Sequence, residues 1–141
     1  MVTSQDRPLK DYFCLADGRS AALLNSAGGC DFLCWPGFDS SPCLAALLDP
    51  RRSGSVTVAP AAGQIGAAVW HPASRVPTSA AANGMRLRCG LLDDGAQGSV
   101  LVWQVDGAAS STARIALTDP LASGGSGWTL APGGQGWRSA A

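Results

Sequence analysis

Glutamate is absent from this 141-residue chain. All ten acidic residues are aspartates, and Lys10 is the only lysine. The long helix-favouring side chains that build exposed helical faces are therefore nearly missing, which argues against a helical bundle. Charge is scarce, at 14% of residues, and balanced to a formal net of zero. Nucleic-acid binding needs a basic footprint that displaces counterions, and membrane-surface binding needs a polybasic segment, so both are excluded as partners. No apolar run is long enough to span a bilayer. Residues 1–8 (MVTSQDRP) lack the hydrophobic segment of a secretory signal. The cysteines number five, an odd count whose spacing matches no disulfide framework. Reduced thiols and a cytoplasmic location are the expectation.

Several chemistries lack their motifs. No Gly-x-Ser-x-Gly elbow occurs to activate a serine. No Gly-Lys-Ser/Thr follows a glycine-rich loop to cradle phosphate. Cys30, Cys34 and Cys43 with His71 match no common zinc spacing, and cysteines in apolar strands read as core residues. His71, the only histidine, precedes Pro72 and reads as a surface or strand-end residue. Asp93 and Asp94 are the only adjacent acidic pair, and Gly95 behind them marks a turn. Neither a metal nor a cofactor is expected.

Apolar residues make up 46% of the chain, enough for one core at this length. Turn doublets punctuate it at short intervals: Asp17-Gly18, Gly28-Gly29, Pro36-Gly37, Asp94-Gly95, Asp106-Gly107, Gly124-Gly125 and Gly133-Gly134. Short apolar or alternating runs lie between them, the layout of an all-β antiparallel sandwich. Residues 20–24 and 30–35 flank a glycine turn and predict a hairpin. Val56 and Val58 alternate with Ser55 and Thr57. Met85, Leu87, Cys89 and Leu91 alternate with Arg86, Arg88 and Gly90, which places the apolar set inward and the arginines toward solvent or a partner. Residues 99–105 are more continuously apolar and predict a central strand, paired with the preceding one through residues 93–98. Ala113, Ile115 and Leu117 alternate with Thr112, Arg114 and Thr118. One short helix is expected over about residues 42–48, with Ser41 as its cap, Pro42 in its first turn and Pro50 as its stop. Residues 1–121 are read as the sandwich. Residues 122–141 form a Gly/Ser/Ala-rich tail with a candidate last strand, anchored by Trp128 and Trp137.

Between Asp11 and Pro60 the submotifs Asp17-Gly18-Arg19, Ala21-Ala22-Leu23, Asp31, Leu33-Cys34-Trp35-Pro36, Phe38-Asp39-Ser40 and the run from Ala45 to Asp49 follow one another. Their order and spacing resemble the opening of bacterial glycoside hydrolase family 15 proteins, the glucoamylase and trehalase-like enzymes. Gly37 stands where the family usually has Arg, Ala16 replaces a Gly and Phe32 replaces a Trp. The resemblance implies an N-terminal β-sandwich domain that, in the family, precedes a catalytic α/α toroid. A 141-residue chain has no room for that toroid. The family is an inverting one and draws its paired glutamates from the toroid, so no catalytic residue carries over to a chain without glutamate.

What the resemblance implies is a non-catalytic domain of an α-glucoside or trehalose hydrolase. Its expected partner is the toroid, in cis or in trans, or a second copy meeting it through the same docking face. The candidate contacts to sugar or to the catalytic domain are Arg19, Trp35, Phe38, Asp39 and Ser40. Asp39 reads first as the cap of the short helix or the brace of the Phe38-Asp39-Ser40 loop, ahead of any action on substrate. The five tryptophans support a second reading, an autonomous carbohydrate-binding module, because flat aromatic faces suit the apolar faces of sugar rings. Among them Trp35 is expected to face a partner or pocket, and Trp103 the core.

Overall fold

The computed structural model describes residues 7–50, 54–60, 63–74, 76–93, 95 and 99–107, and the backbone of residues 113–118, 128–130 and 137–139. The fold is all-β. A short 3-10 turn, Leu9–Asp11, leads into β1 (Tyr12–Ala16). Then follow β2 (Ala21–Asn25), β3 (Cys30–Cys34), β4 (Pro42–Leu44), β5 (Ser55–Pro60), β6 (Val69–Trp70), β7 (Pro77–Ala80), β8 (Arg86–Asp93), β9 (Ser99–Asp106), β10 (Ala113–Thr118), β11 (Trp128–Leu130) and β12 (Trp137–Ser139). The first sheet runs β1-β2-β3-β5-β10, with β4 also pairing β3. The second runs β6-β7-β8-β9, and β11 pairs β12. All pairings are antiparallel. Among the described residues no helix is long and apolar enough to cross a membrane.

One core joins the two large sheets. Leu15, Ala22, Leu24, Cys30, Leu33 and Leu44 of the first pack with Cys89 and Leu91 of the second, and Leu101 and Trp103 close over them. The strand period explains the selection. Leu87, Cys89 and Leu91 are buried while Arg86 stays exposed and Arg88 half-buried, as the alternation requires. The hairpin of β2 and β3 forms as expected, with one irregularity. Leu23 faces Phe32 but Leu24 faces Cys30, so Asp31 is the extra residue of a β-bulge. The bulge re-aims a buried carboxylate. Asp31 Oδ2 accepts hydrogen bonds from the Tyr12 hydroxyl at 2.9 Å and from Asn25 Nδ2 at 3.0 Å.

Asn25 also builds the connecting turn. Its Oδ1 accepts the N–H groups of Ala27 and Gly29, while its own N–H donates to the Gly29 carbonyl. Gly28 sits in the left-handed region at φ 81°, and a Cβ there would lie 2.6 Å from Leu87 Cδ2. Only glycine fits so close to the second sheet.

Two expectations are corrected. The helix over about residues 42–48 does not form: Pro42–Leu44 is a strand, with Leu44 opposite Leu33 and Pro42 opposite Cys34. The N–H groups a helix would use are taken elsewhere. Ala45 and Ala46 donate to the Gly54 carbonyl and Leu47 to that of Asp31, leaving a single turn in which Leu48 and Asp49 donate to Ala45. Tertiary partners outcompete the local propensity of an Ala/Leu run, and Pro42, which has no N–H to give, is tolerated at the strand's start. The second correction concerns β9, which among the described strands is an outer strand rather than a central one. It pairs β8 in register from Ser99 opposite Asp93 to Asp106 opposite Arg86. Its inward residues Ser99, Leu101 and Trp103 are covered to differing degrees, and Val100 and Val102 remain exposed. A continuous apolar run signals burial on both faces, but here it supplies one covered face and one open one.

The alternation proposed for Ala113, Ile115 and Leu117 falls on β10, which pairs β5 from Ala113 opposite Pro60 to Thr118 opposite Ser55. The inward or outward choice there, the anchoring by Trp128 and Trp137, the partner residue Thr112, the turns at Asp94, Gly124-Gly125 and Gly133-Gly134, the stop of the domain at residue 121 and most of the tail lie outside the described residues.

The Asp31 cluster yields a stability prediction. Asp31→Ala removes the carboxylate that accepts from both the Tyr12 hydroxyl and the Asn25 amide and is expected to cost about 2–4 kcal/mol in chemical denaturation. Asp31→Asn keeps an acceptor oxygen and is expected to cost less.

Candidate functional site

The loop from Trp35 to Ser41 and the turn between β1 and β2 meet at one end of the molecule. The turn forms because Gly18 adopts φ 90° and the Asp17 side chain closes it, Oδ1 accepting the N–H groups of Arg19 at 2.9 Å and Ser20 at 2.8 Å. The longer loop is then tied to the turn. The Phe38 N–H donates to the Arg19 carbonyl at 2.8 Å, and the Ser20 hydroxyl donates to the Cys34 carbonyl. Within the loop, Ser40 N–H donates to the Gly37 carbonyl, and the Gly37 N–H donates back to Ser40 Oγ. The Trp35–Pro36 peptide bond is cis.

These ties gather all five residues singled out in the sequence: Arg19, Trp35, Phe38, Asp39 and Ser40. Phe38 is 72% exposed and Trp35 42% exposed. The Trp35 indole is nonetheless anchored, its Nε1–H donating to the Ser99 carbonyl of β9 at 2.8 Å. Asp39 caps no helix. Its carboxylate lies over Gly37, where an added Cβ would meet Asp39 Oδ1 at 2.8 Å. Arg19 Nη2 stands 3.9 Å from Asp93 Oδ1, with both side chains about half exposed. Such a pair contributes little to stability and leaves the guanidinium available.

The titration of Asp17 is displaced. Desolvation pushes its pKa up, but the Ser99 hydroxyl beside it and the N–H groups of Ser20 and Arg19 favour the charged form more, so the net shift is downward. The arrangement is a brace for the turn rather than an acid poised for proton transfer.

Three of the thiols are equally quiet. All five cysteines are unpaired. Burial pushes Cys30 up to about 12, Cys43 up to about 11 and Cys89 higher still, so each stays a protonated thiol at neutral pH. Among the described residues no group of three or more His, Cys, Asp or Glu side chains is placed to hold a metal ion.

Another opening, lined by described residues, lies elsewhere and was missed in the sequence. A groove of about 590 Å³ is lined by Cys14, Leu15 and Ala16 of β1 and by Trp70, His71 and Pro72 at the end of β6. No local motif joins these two segments, which are far apart in the chain. Their only advance signal is the Trp70-His71-Pro72 cluster itself. His71 is exposed just past β6, as a strand-end residue.

What this fold and site define is a class: an all-β chain whose two main antiparallel sheets share a core and carry an exposed aromatic loop at one end. Comparisons with protein-family models, with curated proteins and with solved structures return no match for this chain.

Two predictions follow from the titrating groups. Because the folded pKa of Asp17 is depressed, its contribution to stability is present above the ordinary value of 3.8 and is lost as pH falls below it. The stability gap between the wild type and Asp17→Asn is therefore expected to narrow toward acid in denaturation curves run across pH. A thiol reagent at neutral pH is expected to modify exposed Cys14 first, with Cys30 and Cys89 responding only on unfolding. Native-state labelling of Cys30 at the rate of Cys14 would contradict the protonated, buried assignment.

Proposed function

We propose that this chain is a non-catalytic β-sandwich domain of the glucoamylase and trehalase type, acting as a docking module for a catalytic α/α toroid. The toroid is supplied in cis by a longer chain or in trans. The observation that carries the reading is the exposed Phe38 and Trp35 on a loop held at both its backbone and its indole, with the Arg19 guanidinium on the adjoining turn. Rigid aromatic side chains beside an available cation are the composition of an interface hot spot, and a preformed loop loses little entropy on docking. Apolar residues held out in water in this way mark interaction surfaces. The position of this loop within the family-like segment supports the choice of a toroid as partner.

The non-catalytic reading rests on chemistry. Glycoside hydrolysis needs an acid and a base, and the chain carries no glutamate. The buried Cys30 and Cys89 thiols are protonated, and the carboxylate beside the loop, Asp17, is committed to bracing a turn. The unpaired cysteines support a reducing, cytoplasmic setting.

Calorimetry with a separately produced family 15 toroid tests the proposal. The chain is expected to bind, and Phe38→Asp, a surface change, is expected to weaken binding at least about tenfold. Absence of binding, or binding indifferent to Phe38→Asp, would overturn the docking reading. Glucose released from trehalose, maltose or starch by the chain alone would overturn the non-catalytic one. Gly37→Arg restores the residue the family usually has. It requires the Asp39 carboxylate to swing aside, which an exposed side chain does at low cost, and it is expected to tighten binding.

A further inference from the structure

We propose that the edge of β9, open among the described strands, is a self-association site. A second copy of this chain adds its own β9 there in antiparallel fashion and extends the second sheet across a two-fold axis. The proposal concerns β9 alone and does not rest on the docking loop.

A sheet edge presents a row of main-chain N–H and C=O groups that another extended strand can answer in full. Natural edges are blunted by brevity, by proline, by a bulge or by a charge, above all lysine. The other end of the same sheet follows that rule, since β6 is only two residues long. β9 uses none of these devices along its length. It has eight residues, Ser99–Asp106, contains no proline, and pairs β8 from end to end without a break in register. The Ser99 carbonyl at its start takes the Trp35 indole N–H. From Val100 to Val105, no hydrogen bond reaches the main chain of β9 from outside the sheet among the described residues.

Charge selects the partner. From Ser99 to Val105 the strand is uncharged, and its one charged residue, Asp106, stands at the end. The Asp106 carboxylate is already answered within the chain. It lies 3.5 Å from Arg88 Nη2 and accepts a hydrogen bond from Gln104 Nε2 at 3.0 Å. A charged segment laid along this edge would lose hydration and meet no opposite charge. A second β9 is an uncharged match. Antiparallel, it sets the two Asp106 residues at opposite ends of the pair, whereas a parallel copy would set them side by side.

The side chains agree with that choice. Val100 and Val102 are 40% and 39% exposed on the outward face. About a two-fold axis near Val102, these valines come beside their counterparts in the other copy. Leu101 and Trp103 do the same on the inner face. β-Branched and aromatic pairs of this kind stabilise neighbouring strands. A patch that meets itself across a two-fold axis closes after two copies. The joined sheet then ends on either side in the two-residue β6, which is too short to recruit further strands.

Sedimentation of the intact chain across micromolar concentrations, with amide hydrogen exchange followed over the same range, tests the proposal. A dimer is expected, and alternate amides of β9 are expected to gain protection as concentration rises. Val102→Lys puts an ammonium group on the edge at a side chain that already faces water. It is expected to raise the dimer dissociation constant at least about tenfold. Val102→Thr keeps the branched shape and is expected to keep the dimer. Leu92→Lys lies opposite Val100, one strand in from the edge, and Phe38→Asp lies on the docking loop. Both are expected to leave the dimer intact. A monomer throughout the range would overturn the proposal. So would β9 amides whose protection does not change with concentration, because a segment of this chain would then occupy the edge. A dimer dissolved as strongly by Leu92→Lys would be a face-to-face contact, and one dissolved by Phe38→Asp a contact of the docking loop. Either result would overturn the edge assignment.

Discussion

The turn between β2 and β3 is the constraint on which the rest of the molecule depends. Gly28 brings its backbone so near the second sheet that a Cβ would collide with Leu87, and its carbonyl accepts the Trp103 indole N–H at 2.9 Å. That bond spans from β9 to a turn of the other sheet, and the Trp35 bond to Ser99 spans the interface in the reverse sense. Two sheets that share a small core have few ways to fix their relative position, because apolar contact is not directional. Two indole hydrogen bonds at separate points supply the direction. Asn25 makes the first of them possible by filling the turn with side-chain hydrogen bonds, and Asp31 holds Asn25 in turn. A polar cluster on one hairpin thus sets the register of an apolar interface.

The same interaction positions the candidate docking loop. Trp35 leads out of β3, and the bond from its indole to Ser99 ties the loop's start to β9. The Ser99 side chain lies against Asp17, whose carboxylate braces the turn that carries Arg19. The loop, the turn and the beginning of β9 are therefore one connected structure. The exposed face of Phe38 is held out by hydrogen bonds of the main chain rather than by flexibility, which makes exposure an arranged property of this surface.

Much of the fold was legible in the residues. The alternation from Met85 to Leu91 and the glycine turn between residues 24 and 30 led directly to β8 and to the β2–β3 hairpin, because a period of two leaves one apolar face to bury. The five residues of the candidate site lie within two short stretches of sequence, and the turn and loop that join them are local. The Ala/Leu run after Pro42 misled. Its composition favours helix, but the carbonyls of Asp31 and Gly54 capture its N–H groups, and nothing in the run itself announces them. The apolar run of β9 misled for a related reason: continuous hydrophobicity reports what a strand can bury, not whether a neighbour arrives to cover it.

By itself the sequence determined the class of fold, through turn residues at short intervals and period-two strands, and it excluded glutamate-based hydrolysis by composition. It also confined the candidate docking residues to neighbouring motifs, since turn chemistry acts over a few residues. Only the tertiary structure decided that β9 is an edge among the described strands, that Asp31 sits in a bulge between Tyr12 and Asn25, and that Trp70 and His71 line a groove with Cys14 to Ala16. Each of these depends on which segments, distant along the chain, come to lie side by side. The physical reason is that burial rewards apolar faces without specifying their partners, and the specification comes from the few polar bonds that the assembled sheets can satisfy.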